Sequence, residues 1–551
     1  MNNTKKILIA ILVVAAFLRI GWLSQGDTLN DEVFYAFRAI GLMDFDEAQM
    51  QTTPLEWFDP NVPSWTKLSF HDAPPLVFWI QNISMNIFGE SNFGFRISSA
   101  LFGIASVYLI YLIGSLLFSK RAGLLAAVVS AVTVSSVQIS RVGMLESYLI
   151  FFMLLAVYFF IRALKEDKYL IWTGVAIGLG LLTKYNMFIL IPAFFTYLVF
   201  YKREYFLNKK LWLGALLALV IFSPVIIYNI QLYRAVGHFD FQISIMAGQN
   251  PQEWKDMPGK QIGTLGERLT FLIPRALMTF SWLFLAVFAL SKISIAVSVF
   301  RNFRETFKKY ALHFFVLFWL VILLVFFIGT FYRFLVMLSP FMALAIGAAL
   351  DSVGNKVAEK TGYVFLALFL GFEMFYSVNN QLLYYPVGPT PWIANDIRQQ
   401  NYNWGYNELG DYFQKELEGK MPALTFDFKY KFLNDIRDKA LADGEKQNLE
   451  IYPALIVFGG NIQRGAKLWV LDRLHIYHAW PIISADTYFQ YMKENGADFY
   501  NQAGFKDIYF IFPSNSIPTP ELSQLMKGEQ ASILNKRNEE AFKIYKFTPN
   551  L

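Results

Sequence analysis

About eleven apolar runs, most of them close to the ~20 residues needed to cross a ~30 Å hydrocarbon core, constrain this chain more than any other feature. They lie at approximately 5–24, 94–118, 122–140, 145–163, 169–183, 186–201, 211–230, 270–299, 310–328, 333–350 and 361–378, the fifth and sixth being short. A chain of this pattern must satisfy its backbone polar groups internally, which makes each run a helix. Charged residues are only 16% of the total, against about a quarter in a typical soluble domain, which excludes disorder, a coiled coil and an ordinary soluble enzyme. The absence of Cys excludes disulfides, Cys-liganded zinc, thiol catalysis and iron–sulfur clusters. The first run lacks a small-residue cleavage site and leads into an acidic segment, so it reads as a retained span rather than a cleaved signal peptide.

Charge orients the bundle. With Lys5 and Lys6 on the cytoplasmic side, the alternate loops carry Lys120 and Arg121; Arg162, Lys165 and Lys168; Lys202, Arg203, Lys209 and Lys210; Arg301, Arg304, Lys308 and Lys309; and Lys356 and Lys360. The opposite short turns hold little beyond Arg141, Lys184 and Arg333. This positive-inside alternation places the N-terminus in the cytoplasm of a multi-pass plasma (inner) membrane protein and the C-terminal segment outside. The net charge of +6 is dispersed between apolar runs, so it reads as loop charge and not as a nucleic-acid surface.

Two outer segments stand apart. Residues 25–75 hold acids and aromatics, among them Asp31, Glu32, Asp44, Asp46, Glu47, Trp57, Asp59 and Trp65, and read as a re-entrant or interfacial loop. Residues 380–551 have mixed charge. Short apolar stretches at Ala454–Phe458 and Ile508–Phe512 read as buried strands, with helical stretches near 405–418, 484–495 and 521–545. The expected organisation is therefore a polytopic α-helical membrane domain over 1–379, including the 25–75 loop, followed by an extracytoplasmic α/β domain over 380–551.

The helices read as nearly free of central charge, which is costly in a bilayer. Ionisable groups gather instead at outer helix ends: Asp31 and Glu32, Glu146, Lys184 and Arg333. Asp31-Glu32 reads as a solvated acidic helix start, favoured by the helix dipole, or as an interfacial carboxylate pair able to act as a general base. Glu146 reads as a helix-start acid paired with Arg141, or as a second carboxylate that positions an acceptor, tunes the base or binds a divalent cation. Lys184 and Arg333 read as snorkelling anchors or as phosphate ligands, Arg by a bidentate fork and Lys as a point charge. His71 and Asp72 precede Pro74-Pro75, which fixes an extended lead into a helix, and could face the same cavity. Gly174, Gly178 and Gly180 form a small-residue face for helix contact. His475 and His478 lack the further ligands a zinc site needs. No Walker or dinucleotide fingerprint is present.

Taken in order, these strings resemble the GT-C glycosyltransferases, and among them the protein O-mannosyltransferase and aminoarabinose transferase families. The carriers are Asp31-Glu32-x-x-Tyr35-Ala36, Pro74-Pro75-Leu76, Phe88 to Arg96, Leu117 to Gly123, Arg141 with Leu145-Glu146, Leu182-Thr183-Lys184, and Tyr332-Arg333-Phe334-Leu335 with Pro340. The resemblance spans roughly 5–350. It implies an inverting transferase that moves a sugar from a polyprenyl phosphate to an extracytoplasmic lipid, glycan or protein acceptor, with Asp31 as catalytic base and Glu146 as its partner. Glu32, Tyr35, Arg38, Lys67, His71, Asp72, Lys184, Tyr332 and Arg333 are the expected substrate-binding residues. Aminoarabinose transferases usually have Arg where Phe34 stands, Lys where Ala73 stands and Asp where Glu146 stands, which argues against aminoarabinose as the sugar. Nothing in the sequence requires a metal, although the two acids could hold a divalent cation. The rival reading is a multispanning lipid or saccharide transporter, which calls for ionisable groups or broken helices near the bilayer midplane.

Overall fold

The structure, a computed structural model, describes residues 3–29, 31–40, 73–249, 262–354, 359–395, 402–428, 431–459, 461–516 and 529–548. The described chain falls into two compact units. The first comprises 3–24, 38–40 and 73–395; the second comprises 25–29, 31–37 and 402–548. The sequence-based boundary at 379/380 thus moves to the far side of residue 395, and the start of the outer loop joins the C-terminal segment.

The first unit is helical. In chain order its elements are α1 (Asn3–Ile20), the last three residues of α2 (Asp31–Ile40), α3 (Leu76–Phe88), α4 (Asn92–Leu117), α5 (Lys120–Val132), α6 (Val134–Arg141), α7 (Leu145–Ala163), α8 (Tyr169–Leu181) and α9 (Leu190–Tyr201). They continue with α10 (Lys209–Val236), α11 (Phe241–Met246), α12 (Leu265–Thr270), α13 (Leu272–Thr279), α14 (Trp282–Arg301), α15 (Phe303–Ile322), α16 (Tyr332–Leu335), α17 (Ser339–Gly354) and α18 (Glu359–Gln381). Among the described residues, seven helices are long and apolar enough to cross a membrane, or eight if the bent pair α5–α6 is one span. The protein is a polytopic membrane protein, and its described residues hold fewer full-length spans than the about eleven expected. The differences have local causes. The 13-residue α8 and the 12-residue α9 are short apolar helices, and α1 carries Lys5, Lys6 and Arg19 within its 18 residues. The run at 270–299 breaks at Phe280, after which Ser281 caps α14 by accepting from Phe284 N.

The 59° bend between α5 and α6 would strand carbonyl groups inside the bilayer. Arg19, fully buried on α1, donates to Ser130 O at 3.2 Å and Ala131 O at 3.0 Å, and Ser377 donates to Val132 O. Arg19, in the last turn of α1, is therefore a structural cap for this bend. Glu373, buried within α18 and receiving a hydrogen bond from the Ser281 hydroxyl, is an exception to the expectation that the helices are nearly free of central charge. The small-residue face behaves as expected at two of its three positions. A Cβ on Gly174 would lie 2.0 Å from Gly214 O, and one on Gly178 would lie 2.9 Å from Ala218 Cα, so α8 and α10 cross in near backbone contact. Gly180 faces Met187 instead.

The second unit is α/β. A five-stranded sheet runs in the order β4 (Ile482–Ser484), β3 (Ala454–Phe458), β5 (Asp507–Pro513), β7 (Glu540–Phe547) and β6 (Glu529–Leu534), and β1 (Lys420–Pro422) pairs with β2 (Glu450–Tyr452). β4, β3 and β5 are parallel, with Ala454 opposite Asp507; β5–β7 and β7–β6 are antiparallel. Its helices are α19 (Tyr406–Glu416), α20 (Lys431–Lys446), α21 (Arg464–Lys467), α22 (Arg473–His478), α23 (Ala485–Asn495) and α24 (Phe499–Gln502). The two apolar stretches are central strands, as the uniform hydrophobicity of parallel strands requires. The helix expected near 521–545 is not found in its described part. Residues 529–547 form a hairpin whose turn holds Asn538 at φ 62°, and Phe542 and Ile544 alternate into the core.

Candidate functional site

Glu146 opens α7 and is fully buried. The turn before it depends on Gly143, where a Cβ would lie 2.5 Å from the Phe95 ring, and Gln81 of α3 donates to Gly143 O at 2.9 Å. Behind this turn Tyr148 and Ser98 share a 2.6 Å hydrogen bond, and Ser147 donates to Ser99 O at 2.8 Å, fastening α7 to α4. Arg141 does not pair with Glu146. Its guanidinium donates to Leu18 O at 2.9 Å, Gly21 O at 2.7 Å and Trp22 O at 3.1 Å, carbonyls of the last turn of α1 and of the turn that follows it. Arg96 donates to Leu23 O at 3.2 Å, so the end of α1 and the starts of α4 and α7 share one end of the bundle.

Lys184 reaches the same place from the end of α8. Its ammonium donates to Glu146 Oε1 at 2.6 Å, and its side chain is 4% exposed. The stretch that carries it is held by Leu76 N, which donates to Leu182 O at 3.1 Å. This bond comes from the first residue of α3, directly after Pro74-Pro75, so the proline motif helps seat Lys184. Arg333, on the short helix α16 with Tyr332, lies with Nε 3.5 Å from the same oxygen; its side chain is 22% exposed. The Phe334 ring lies beneath both cations, with its centroid 5.0 Å from Lys184 Nζ and 4.9 Å from Arg333 Cζ. Glu146 Oε2 has no hydrogen-bond partner among the described residues. Three residues drawn from sequence positions 146, 184 and 333 thus meet at one buried carboxylate.

The other expected site residues that the structure describes lie on α2. Arg38 is buried in the first unit with its guanidinium 5.7 Å from the Phe78 ring centroid. Asp31, Glu32 and Tyr35 lie on the part of α2 that belongs to the second unit, Glu32 and Tyr35 buried and Asp31 half-buried. Lys67, His71 and Asp72 lie outside the described residues. No group of three His or acidic residues among the described residues is arranged to hold a metal ion. His475 packs against the Phe428 ring at 4.3 Å, and burial lowers its pKa to about 4.

Sequence reading missed a neighbouring buried acid. Asp240 takes hydrogen bonds from the Tyr185 hydroxyl and from Asn229 Nδ2 at 2.9 Å, and accepts from Ile243 N at 2.9 Å. Its one sequence signal was an acid just after the long apolar run at 211–230. Tyr185 follows Lys184, so this cluster braces the turn that presents the lysine.

The opposite end of the unit is basic and different in kind. There Lys210 pairs with Asp167 at 2.6 Å, Arg162 donates to the Tyr169 hydroxyl at 2.6 Å, and Arg121 lies 3.8 Å from Asp351. These are part-exposed surface contacts, of the kind that solvent screens, and none converges on a buried acid.

Residues 72–228 match the protein-family model described as dolichyl-phosphate-mannose-protein mannosyltransferase. A putative mannosyltransferase of Bacillus subtilis (strain 168), YycA, is 34% identical over 236 residues, which are 42% of this chain and 31% of that protein. An undecaprenyl phosphate-alpha-4-amino-4-deoxy-L-arabinose arabinosyl transferase of Wigglesworthia glossinidia brevipalpis is 26% identical over 159 residues, 27% of this chain and 28% of that one. The chain spans about a third of the length of the curated relatives it matches. Over nearly the whole chain, the fold is similar to the crystal structure of ArnT from Cupriavidus metallidurans bound to undecaprenyl phosphate. The TM-score is 0.53 at 12% identity, covering 98% of this chain and 97% of that one.

Proposed function

We propose, on the premise that these likenesses support a GT-C superfamily glycosyltransferase, that the chain transfers a sugar from a polyprenyl phosphate to an acceptor on the extracytoplasmic side of the plasma membrane. The observation that carries this reading is the meeting of Lys184 and Arg333 at Glu146 on one end of the helical unit. A donor anchored by an isoprenoid presents its phosphate at headgroup depth, where an ammonium and a guanidinium beside each other neutralise a developing phosphate dianion.

In the proposed reaction Asp31 removes the proton from the acceptor hydroxyl or amine. The acceptor's freed electron pair attacks the anomeric carbon from the face opposite the phosphate. The carbon–oxygen bond to phosphate breaks with inversion, and the pair leaves with the polyprenyl phosphate. Glu146 shares one oxygen between two cations, which suits it to hold them in place rather than to take a proton. Ala73, where aminoarabinose transferases usually have Lys, is buried, in keeping with a different sugar.

The test offers purified protein in lipid nanodiscs a radiolabelled polyprenyl-phosphate mannose, with and without candidate acceptors, and follows release of free polyprenyl phosphate. Asp31→Asn is expected to stay folded and to lose transfer. Full activity of that variant refutes the assignment of the base. The transporter reading draws on Glu373, a buried acid inside a span, and predicts movement of labelled lipid across proteoliposomes without release of polyprenyl phosphate.

A further inference from the structure

The part of α2 that lies in the second unit, and carries Asp31, is held on either side of Asp31. Just before it the chain passes through Asp27, which is fully buried. Asp27 N donates to Tyr402 O at 3.1 Å, and the Asp27 carboxylate accepts three backbone hydrogen bonds: from Trp404 N, from Tyr406 N at 3.3 Å and from Asn407 N at 2.9 Å. These donors stand at the start of α19, whose first N–H groups have no partner inside the helix. The residue at the cap position is Gly405, at φ 98° and without a side chain to supply an acceptor. A carboxylate 378 positions earlier in the chain than Gly405 therefore caps α19, accepting from Asn407 N, a donor that Ser, Thr, Asp or Asn at the cap position would ordinarily satisfy. Two residues on, Leu29 packs against the core formed by Tyr406, Leu409, Phe413 and Phe542. At the other end Phe37 meets the Trp469 ring edge-on at 6.0 Å. Asp31 lies between these anchors, four residues after the capping carboxylate.

We propose that Asp27 is a positioning residue for sugar transfer: by capping α19 it fixes where the chain enters α2, and so where the Asp31 carboxylate stands. The proposal rests on Asp31 acting as the base. It makes the C-terminal segment a support of the catalytic helix, beyond any part it has in recognising an acceptor. Because Asp27 is fully buried and its carboxylate is taken up by backbone donors, its loss is expected to act on placement of the base and not on capture of the lipid phosphate.

The experiment compares wild type, Asp27→Ala, Asp27→Asn and Asp31→Asn, full-length in nanodiscs, by steady-state kinetics with polyprenyl-phosphate mannose and by deuterium exchange. Asp27→Ala is expected to speed exchange in 25–29, 31–37 and 404–410 while leaving α7 protected. It is expected to lower kcat about a hundredfold, the loss that a displacement of about 1 Å brings, with KM for the lipid donor changed less than about twofold. Asp27→Asn keeps one acceptor oxygen and is expected to recover part of kcat; it also serves where the alanine variant is not obtained folded. Unchanged kcat despite faster exchange around α2 overturns the positioning role, as does unchanged exchange in both Asp27 variants. A rise in KM equal to the fall in kcat overturns it too, because that pattern marks general damage to the site. Full activity of Asp31→Asn refutes the functional reading itself, whereas an inactive Asp31→Asn beside a fully active Asp27→Ala refutes only the role given to Asp27.

Discussion

Replacing Glu146 and Lys184 singly and together separates what their ion pair does for the fold from what it does for the reaction. Glu146 is 0% exposed and the Lys184 side chain 4%, so removing either partner leaves a charge that water cannot reach. Breaking a buried pair in this way costs about 3–5 kcal/mol. The geometry makes the two single changes unequal. Glu146→Gln leaves Lys184 and Arg333 together without the carboxylate and belongs at the upper end of that range. Lys184→Met leaves Glu146 with Arg333 at 3.5 Å and belongs at about 3 kcal/mol or below. In the double variant the stranded charges are largely gone, and a total near 2 kcal/mol is expected, giving a coupling of several kcal/mol against additivity. The assay is reversible unfolding of the purified protein in detergent–lipid micelles, with transfer from polyprenyl-phosphate mannose measured on the same samples. The double variant is expected to recover stability but not transfer, because the ammonium proposed to bind the phosphate is lost. Additive destabilisation would refute the reasoning, since it would mean that the two groups do not depend on each other.

Three further outcomes follow from the structure. Arg333→Lys keeps the charge but loses the planar fork, and KM for the lipid donor is expected to rise about tenfold in steady-state kinetics while the protein remains folded. Gly174→Ala forces a methyl to within 2.0 Å of Gly214 O, and the separation of α8 from α10 is expected to cost about 1–3 kcal/mol in the same unfolding assay. His475 is held neutral in the folded protein, with its pKa lowered from 6.5 to about 4 by burial. Its contribution to stability is therefore present above pH about 6.5 and is lost as the pH falls through about 4. Deuterium exchange in 470–480 should accelerate over that window by up to about 3 kcal/mol of opening free energy, and His475→Phe should flatten the dependence.

How far the site can be read from sequence differs between its parts. Glu146, Lys184 and Arg333 were each legible as an ionisable group at the edge of an apolar run, where insertion energetics confines charge. Their meeting was legible only as an expectation, because 38 and 187 residues separate them from Glu146 and nothing local determines such a distance. Arg19 was hidden for the opposite reason: its partners are backbone carbonyls of a bent helix, which carry no side-chain signature. Glu373 stood in plain view inside the run at 361–378, yet its lone-acid signal was outweighed by the surrounding apolar residues. The stretch near 521–545 was read as helix, where its described part is strand, because its charged residues masked the twofold alternation of Phe542 and Ile544.

Hydrophobic length alone determined that this chain belongs in a membrane, since burying some 20 consecutive apolar residues outside lipid has no comparably favourable solution. The pattern of apolar stretches likewise determined where the central strands of the second unit would form. Tertiary structure alone decided which charges meet and which helices break: a buried carboxylate needs a cation, and an interrupted helix needs donors for its carbonyls. Either partner can come from anywhere in the chain. Asp27 shows the consequence, because its carboxylate completes a helix that begins at Tyr406, and no inspection of residues around either one reveals the other.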